Sequence, residues 1–103
     1  MAFQVTASLL DACVLSMLSH NDTYGYEITQ NLRERLQVSE STLYPVLRRL
    51  MNSDFLRTYD VPHQGRNRRY YAITESGRTQ LEEFRQDWKL FRNRIDDFLG
   101  SDI

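Results

Sequence analysis

Cysteine, proline and glycine are scarce in this sequence, and lysine and arginine are missing from its first 32 residues. The lone Cys13 excludes an intrachain disulfide, and with only His20 and His63 beside it there is no set of soft ligands for a metal. A reducing cytoplasm is therefore the expected compartment, and no metal or cofactor is expected. With two prolines and four glycines there is no Pro/Gly-rich linker, no low-complexity run and no internal repeat. The 103 residues suit one small folding unit with a real core, for which oligomerisation would be useful. The apolar run LLDACVLSML is broken by Asp11 and has no Lys or Arg before it, which argues against a signal peptide and a membrane span. No nucleophile, base and orienting group fall at useful spacing, and there is no phosphate loop, so an enzyme is not expected.

The formal charge of −1 hides an uneven distribution. Residues 1–32 carry Asp11, Asp22 and Glu27 unopposed. Residues 33–73 hold eight arginines against four acids, for a local excess of +4, and the remainder is slightly acidic. Positive charge gathered in the middle of a small domain is the electrostatic pattern of a nucleic-acid footprint, or of a solvated charged face.

Leu9, Leu10, Cys13, Val14, Met17 and Leu18 have helical spacing and end in the polar turn SHND. Thr23 can cap a second helix, in which Tyr24, Ile28, Leu32 and Leu36 form one stripe. Ser39, Ser41 or Thr42 can cap a third, whose apolar face is Leu43, Val46, Leu47, Leu50 and Met51. Pro45 lies among these. Inside a helix it removes a backbone bond at roughly 3 kcal/mol, so a start at Ser41 or Thr42, or a loosened first turn, is the favoured reading.

After Phe55, LRTYDV and RRYYAIT are rich in β-branched and aromatic residues and flank the turn PHQGRN, which reads as a hairpin with a basic tip. Thr74 and Glu75 then open a long helix. Leu81, Phe84, Trp88, Phe91, Ile95 and Phe98 are spaced alternately three and four apart, as at a seam between helices. Leu90 and Leu99 lie off the seam and suggest a second contact, with the first helix. The order helix, helix, helix, hairpin, long helix predicts a mainly α fold with a small β-hairpin. This is a winged helix-turn-helix over 1–74, with a C-terminal dimerisation helix over 75–103 packed with the first helix.

TYGYEI, STLYPVLRRL and GRNRRYYAITESG closely resemble, in order and spacing, the three signature stretches of the PadR-like family of bacterial transcriptional regulators. The resemblance covers roughly residues 8–90, and the short C-terminal region is similar to the subfamily with one helix after the wing. It implies a homodimeric winged-helix protein, in most members a repressor, in some released from DNA by small and often aromatic molecules.

In that architecture the third helix enters the major groove and the wing lies on the backbone or in a minor groove. Ser41, Thr42 and Tyr44, with Arg48 and Arg49 a turn later, are candidate contacts to double-stranded DNA; the alternative for the hydroxyls is capping alone. In the wing, Arg66, Asn67, Arg68 and Arg69 form a candidate phosphate clamp, or a charged edge that resists unwanted pairing. Arg66 and Arg68 should share one side, with Arg69 facing its neighbour strand or an acid, and Tyr70 and Tyr71 are assigned to hairpin packing. Leu81, Phe84, Trp88, Phe91, Ile95 and Phe98 are the candidate dimer seam. Trp88 is either interface core or, as the resemblance implies for some relatives, the border of a cavity between subunits. There Phe84, Trp88 and Phe91 with Leu10, Cys13 and Val14 would line a flat apolar site for an aromatic ligand. A protein-interaction module built on the same fold is the competing reading, kept open by the near-neutral total charge.

Overall fold

The computed structural model describes residues 3–100. The outer ends of the expected segments 1–74 and 75–103, residues 1–2 and 101–103, lie outside the described residues.

Thr6 caps α1 (Ala7–His20) by accepting from the Leu9 amide at 3.3 Å. The helix buries Leu10, Val14, Leu15 and Leu18, while Cys13 and Met17 on its flank are half-buried. Thr23 does not cap the next helix. Thr23–Tyr24 form a two-residue strand, β1, paired antiparallel with Tyr71 and Tyr70, and α2 (Gly25–Leu36) begins after it. Thr and Tyr favour strands, and a neighbouring strand offers them partners that no local periodicity announces. Ile28 and Leu32 of α2 are buried, and the helix stops where Gln37 turns left-handed at φ 57° and donates to the Arg33 carbonyl.

α3 spans Glu40–Asn52 and follows Ser39, so the expected start at Ser41 or Thr42 is corrected. Glu40 in the first turn suits the positive end of the helix dipole, and Gln30 and Arg33 of α2 both reach its carboxylate at 3.4 Å. Pro45 is thus interior, and the Ser41 carbonyl loses its helical partner. Both residues are exposed, at the outward side of the helix where water can serve a freed carbonyl. Leu43, Val46, Leu47 and Leu50 face inward.

β2 (Leu56–His63) and β3 (Arg66–Ile73) form the expected hairpin. Gln64 and Gly65 both have positive φ, 52° and 79°, the two-residue turn whose twist matches that of the strands. The sheet order is β1-β3-β2. Leu56 and Ile73 carry its root into a core shared with α1, α2, α3 and Leu81.

Thr74 caps α4 (Glu75–Leu99), accepting from the Gly77 amide at 3.0 Å. The Thr74 and Ser76 hydroxyls also donate to the Asp54 carbonyl, at 2.6 and 2.8 Å, tying the start of α4 to the end of α3. α4 packs on α1 through its first half, where Leu81 is buried and Phe84 half-buried. Leu90 and Leu99 do not make the expected contact with α1; they are 57% and 64% exposed. Among the described residues nothing covers them.

Candidate nucleic-acid interface

The inner face of α3 is consumed by the core, which leaves Ser41, Tyr44, Pro45 and Arg48 as an outward stripe. At its start the Ser39 hydroxyl bonds those of Ser41 and Thr42, each at 2.9 Å, and caps no backbone amide. The three hydroxyls therefore form a small polar cluster of their own. Arg48 is exposed. Arg49 points elsewhere, to an ion pair with Asp11 of α1, whose carboxylate is largely covered. Such a pair fixes α3 against α1 and takes Arg49 off the outward stripe.

The wing presents its arginines unequally. Arg66 and Asn67 are exposed at the tip. Arg69 lies opposite Asp60, its Nε 4.0 Å from the carboxylate, in line with the expectation of a neighbouring acid. Arg68 is half-buried, its guanidinium 4.0 Å from the centre of the Tyr24 ring. Tyr24, Tyr70 and Tyr59 occupy one row across the sheet with successive ring separations of 5.7 Å. Tyr59 donates to Asp22 at 2.6 Å, and this hydrogen bond is the main reason its phenol is held above the ordinary tyrosine range. The aromatic row and the Tyr59–Asp22 bond tie the wing to the segment between α1 and α2. Sequence reasoning missed the roles of Asp11, Asp22 and Tyr24, because each works through a partner more than 35 positions away; the sole local hint is the strand-prone TY before Gly25.

Where α2, α3 and β3 meet, a shallow recess of about 520 Å³ is lined by Tyr24, Gly25, Tyr26, Tyr44, Arg68, Arg69 and Tyr71. It joins α3 and the wing into one surface. A second recess of about 470 Å³ lies between α1 and α2, beside Cys13, Met17, Leu36 and Arg35. Burial pushes the Cys13 thiol up, with Arg35 only partly opposing.

Along α4, Trp88, Phe91, Ile95 and Phe98 are 43%, 53%, 38% and 88% exposed, with the Trp88 and Phe91 rings 6.3 Å apart. Leu81, by contrast, is buried in the chain's own core at 3% exposure. Leu10 and Val14 are likewise inside, at 2% and 0%, whereas Cys13 borders the recess between α1 and α2. Among the described residues no group of His, Cys, Asp and Glu could hold a metal ion, and no helix is long and apolar enough to cross a membrane.

The model of the transcriptional regulator PadR-like family matches residues 14–83, from the middle of α1 into α4. This chain belongs to the PadR-like family. It is a DNA-binding transcriptional regulator with that family's winged-helix fold and C-terminal helix. This PadR-like chain is 38% identical to transcriptional regulator Rv3488 of Mycobacterium tuberculosis over 71% of its own length and 69% of the relative's. Among solved structures it is similar to smu.1704 from Streptococcus mutans, with a TM-score of 0.89 and 37% identity over 100% of this chain and 97% of that one. It is also similar to a PadR family transcription regulator from Clostridium difficile, with a TM-score of 0.80 and 33% identity over 88% and 98% of the two chains.

Proposed function

We propose that the protein is a cytoplasmic homodimeric repressor that binds a pseudo-palindromic operator and is released by a small aromatic ligand. Residues 1–74 would be the reading head and 75–103 the dimerisation arm. The observation that carries the DNA reading is the continuity of one surface from the outward stripe of α3, across the tyrosine-lined recess, to the arginines of the wing. Ser41, Thr42, Tyr44 and Arg48 would meet base edges and phosphates, and Arg66, Asn67, Arg68 and Arg69 the backbone beside them. Arg49, held by Asp11, would position the helix.

For the dimer, support comes from the exposed apolar length of α4, since monomers rarely leave so continuous a stripe in water. Trp88, Phe91, Ile95 and Phe98 would form the seam, with Phe84 at its inner end. A planar aromatic ligand would enter between Trp88, Phe91, Phe84 and Cys13. It changes DNA affinity only by favouring one spacing of the two reading heads over another.

The decisive experiment is binding of the purified protein to duplex from upstream of its own gene, across salt concentrations, with and without planar aromatic compounds. Saturable binding that survives excess competitor DNA and weakens as Trp88 fluorescence is quenched is the expected result. Weak, unsaturable binding would instead favour a protein-interaction module. Binding to specific duplex that no aromatic compound changes would remove the ligand from the proposal.

A further inference from the structure

We propose that the recess between α2, α3 and β3 is a seat for one backbone phosphate of the duplex, held by Arg68, Tyr26 and Tyr44, with Tyr24 as the positioning residue for Arg68. The inference rests on the DNA reading above and adds two α2-side tyrosines that no recognition-helix or wing motif contains.

The lining has two arginines and no carboxylate, so its chemistry favours an anion. Arg69 is partly satisfied by Asp60, but Arg68 makes no ion pair among the described residues. A long arginine side chain would normally wander. Here the face of Tyr24 holds the guanidinium 4.0 Å from its centre, which removes much of the entropy that fixing it on a ligand would cost. Tyr24 is itself fixed, by strand pairing to Tyr70 and by the contact of their rings. The cation is therefore built into the fold before any ligand arrives.

Tyr26 and Tyr44 also line the recess and are 62% and 44% exposed. Among the described residues neither phenol has a protein hydrogen bond, and each can donate one to an oxygen of the same anion. No side chain caps the first amides of α2 at this point, which adds a smaller positive field. At about 520 Å³ the recess is wide and shallow, too open to enclose a free ion and wide enough for a sugar-phosphate link. It also sits between the α3 stripe and the wing, the two segments assigned to one DNA surface. A strand passing from one to the other must cross it.

The test uses the full chain and the same duplex in four variants, each first checked for folding by thermal melting. Arg68→Ala should weaken binding about ten-fold per bound head and lower the salt slope by about 0.9 per head, about 1.8 for the dimer. Tyr26→Phe should weaken binding several-fold and leave the slope unchanged, because a hydroxyl releases no counterion. Tyr24→Phe should bind as the parent protein does, whereas Tyr24→Leu should behave as a weaker Arg68→Ala. A single neutral methylphosphonate, moved along the duplex, should find one position in each half-site that weakens the parent protein and costs Arg68→Ala nothing further.

Parent-like affinity and slope in both Arg68→Ala and Tyr26→Phe would overturn the seat while leaving the DNA reading intact. Equal loss in Tyr24→Phe and Tyr24→Leu would show that Tyr24 does not act through its ring. Pyrophosphate bound tightly at Tyr26 and Arg68, with duplex affinity unchanged in Arg68→Ala, would reassign the recess to a soluble anion and overturn the proposal. If the parent protein binds no duplex at all, both readings fall. Should Tyr24→Leu fail to fold, the other three variants and the methylphosphonate scan still decide.

Discussion

At Gly77 the absence of a side chain is a structural requirement. A β-carbon there would stand 2.2 Å from the Phe55 carbonyl oxygen and 2.8 Å from Ile73, so backbone would have to move. Alanine gains about 1 kcal/mol in helix propensity, but an overpacked junction loses about 1–3 kcal/mol and also displaces the first turn of α4. Gly77→Ala is therefore expected to lower the urea midpoint, and a rise would show that the junction yields easily. Tyr59 gives a prediction in pH. Its bond to Asp22 holds the phenol's proton more firmly in the folded chain than in the unfolded one. The resulting stability is complete below the ordinary tyrosine value of 10.0 and is lost as pH climbs through the raised folded value. Tyr59→Phe should accordingly be less stable than the parent protein at neutral pH, with the gap closing in urea melts carried from about pH 8 to about pH 11. A gap that stays constant would mean the hydrogen bond contributes nothing to folding.

Among the elements, α3 shows most plainly what local pattern can and cannot reveal. Its inward face was legible because Leu43, Val46, Leu47 and Leu50 keep the helical repeat, and all four are buried. Its beginning was not, because Ser39, Ser41 and Thr42 are equally good caps by type and only Gln30 and Arg33 of α2, by holding Glu40, select the first. Pro45 thereby remains inside the helix, on its exposed side with Ser41, where a freed carbonyl costs less than it would in the core. Pro45→Ala is expected to raise stability by roughly 1–3 kcal/mol, as restoring a helix bond should. If the proline shapes the DNA-facing stripe, duplex affinity falls in the same variant. No change in stability would show that the helix has already relaxed around it. The hairpin was legible from its composition and turn, whereas β1 was not, since two residues have no period and become a strand only by meeting β3. For the wing itself, Arg66→Ala with Arg68→Ala should weaken binding to every sequence alike and flatten the salt slope by roughly 1.8 per bound head, about 3.6 for the dimer. An unchanged slope would take the wing off the phosphates.

On the scale of the whole molecule, α4 decides the shape. Its 25 residues help stretch the protomer to 55 Å along one axis against 31 and 21 Å on the others. The spacing of its apolar residues was plain in the sequence, but which of them serve the chain's own core was not, because that depends on where α1 ends its contact. Leu81 and Phe84 are used at home; Trp88, Phe91, Ile95 and Phe98 are left in water. A second copy of the chain would supply an α4 with the same spacing, and a two-fold pairing would carry the two α3 helices toward successive grooves about 34 Å apart. Phe91→Glu would place a charge in the middle of that seam without touching the protomer's core, since Phe91 is 53% exposed. The parent protein should sediment at twice the chain mass and melt at a temperature that rises with its concentration. The variant should sediment at the chain mass, keep its helical signal, and lose cooperative operator binding while retaining weak, salt-sensitive attachment of single heads. If Phe91→Glu stays dimeric, the seam lies elsewhere on the surface. If it becomes monomeric yet binds the operator as tightly as before, recognition does not require two heads, and the pseudo-palindromic site is the part of the proposal that must go.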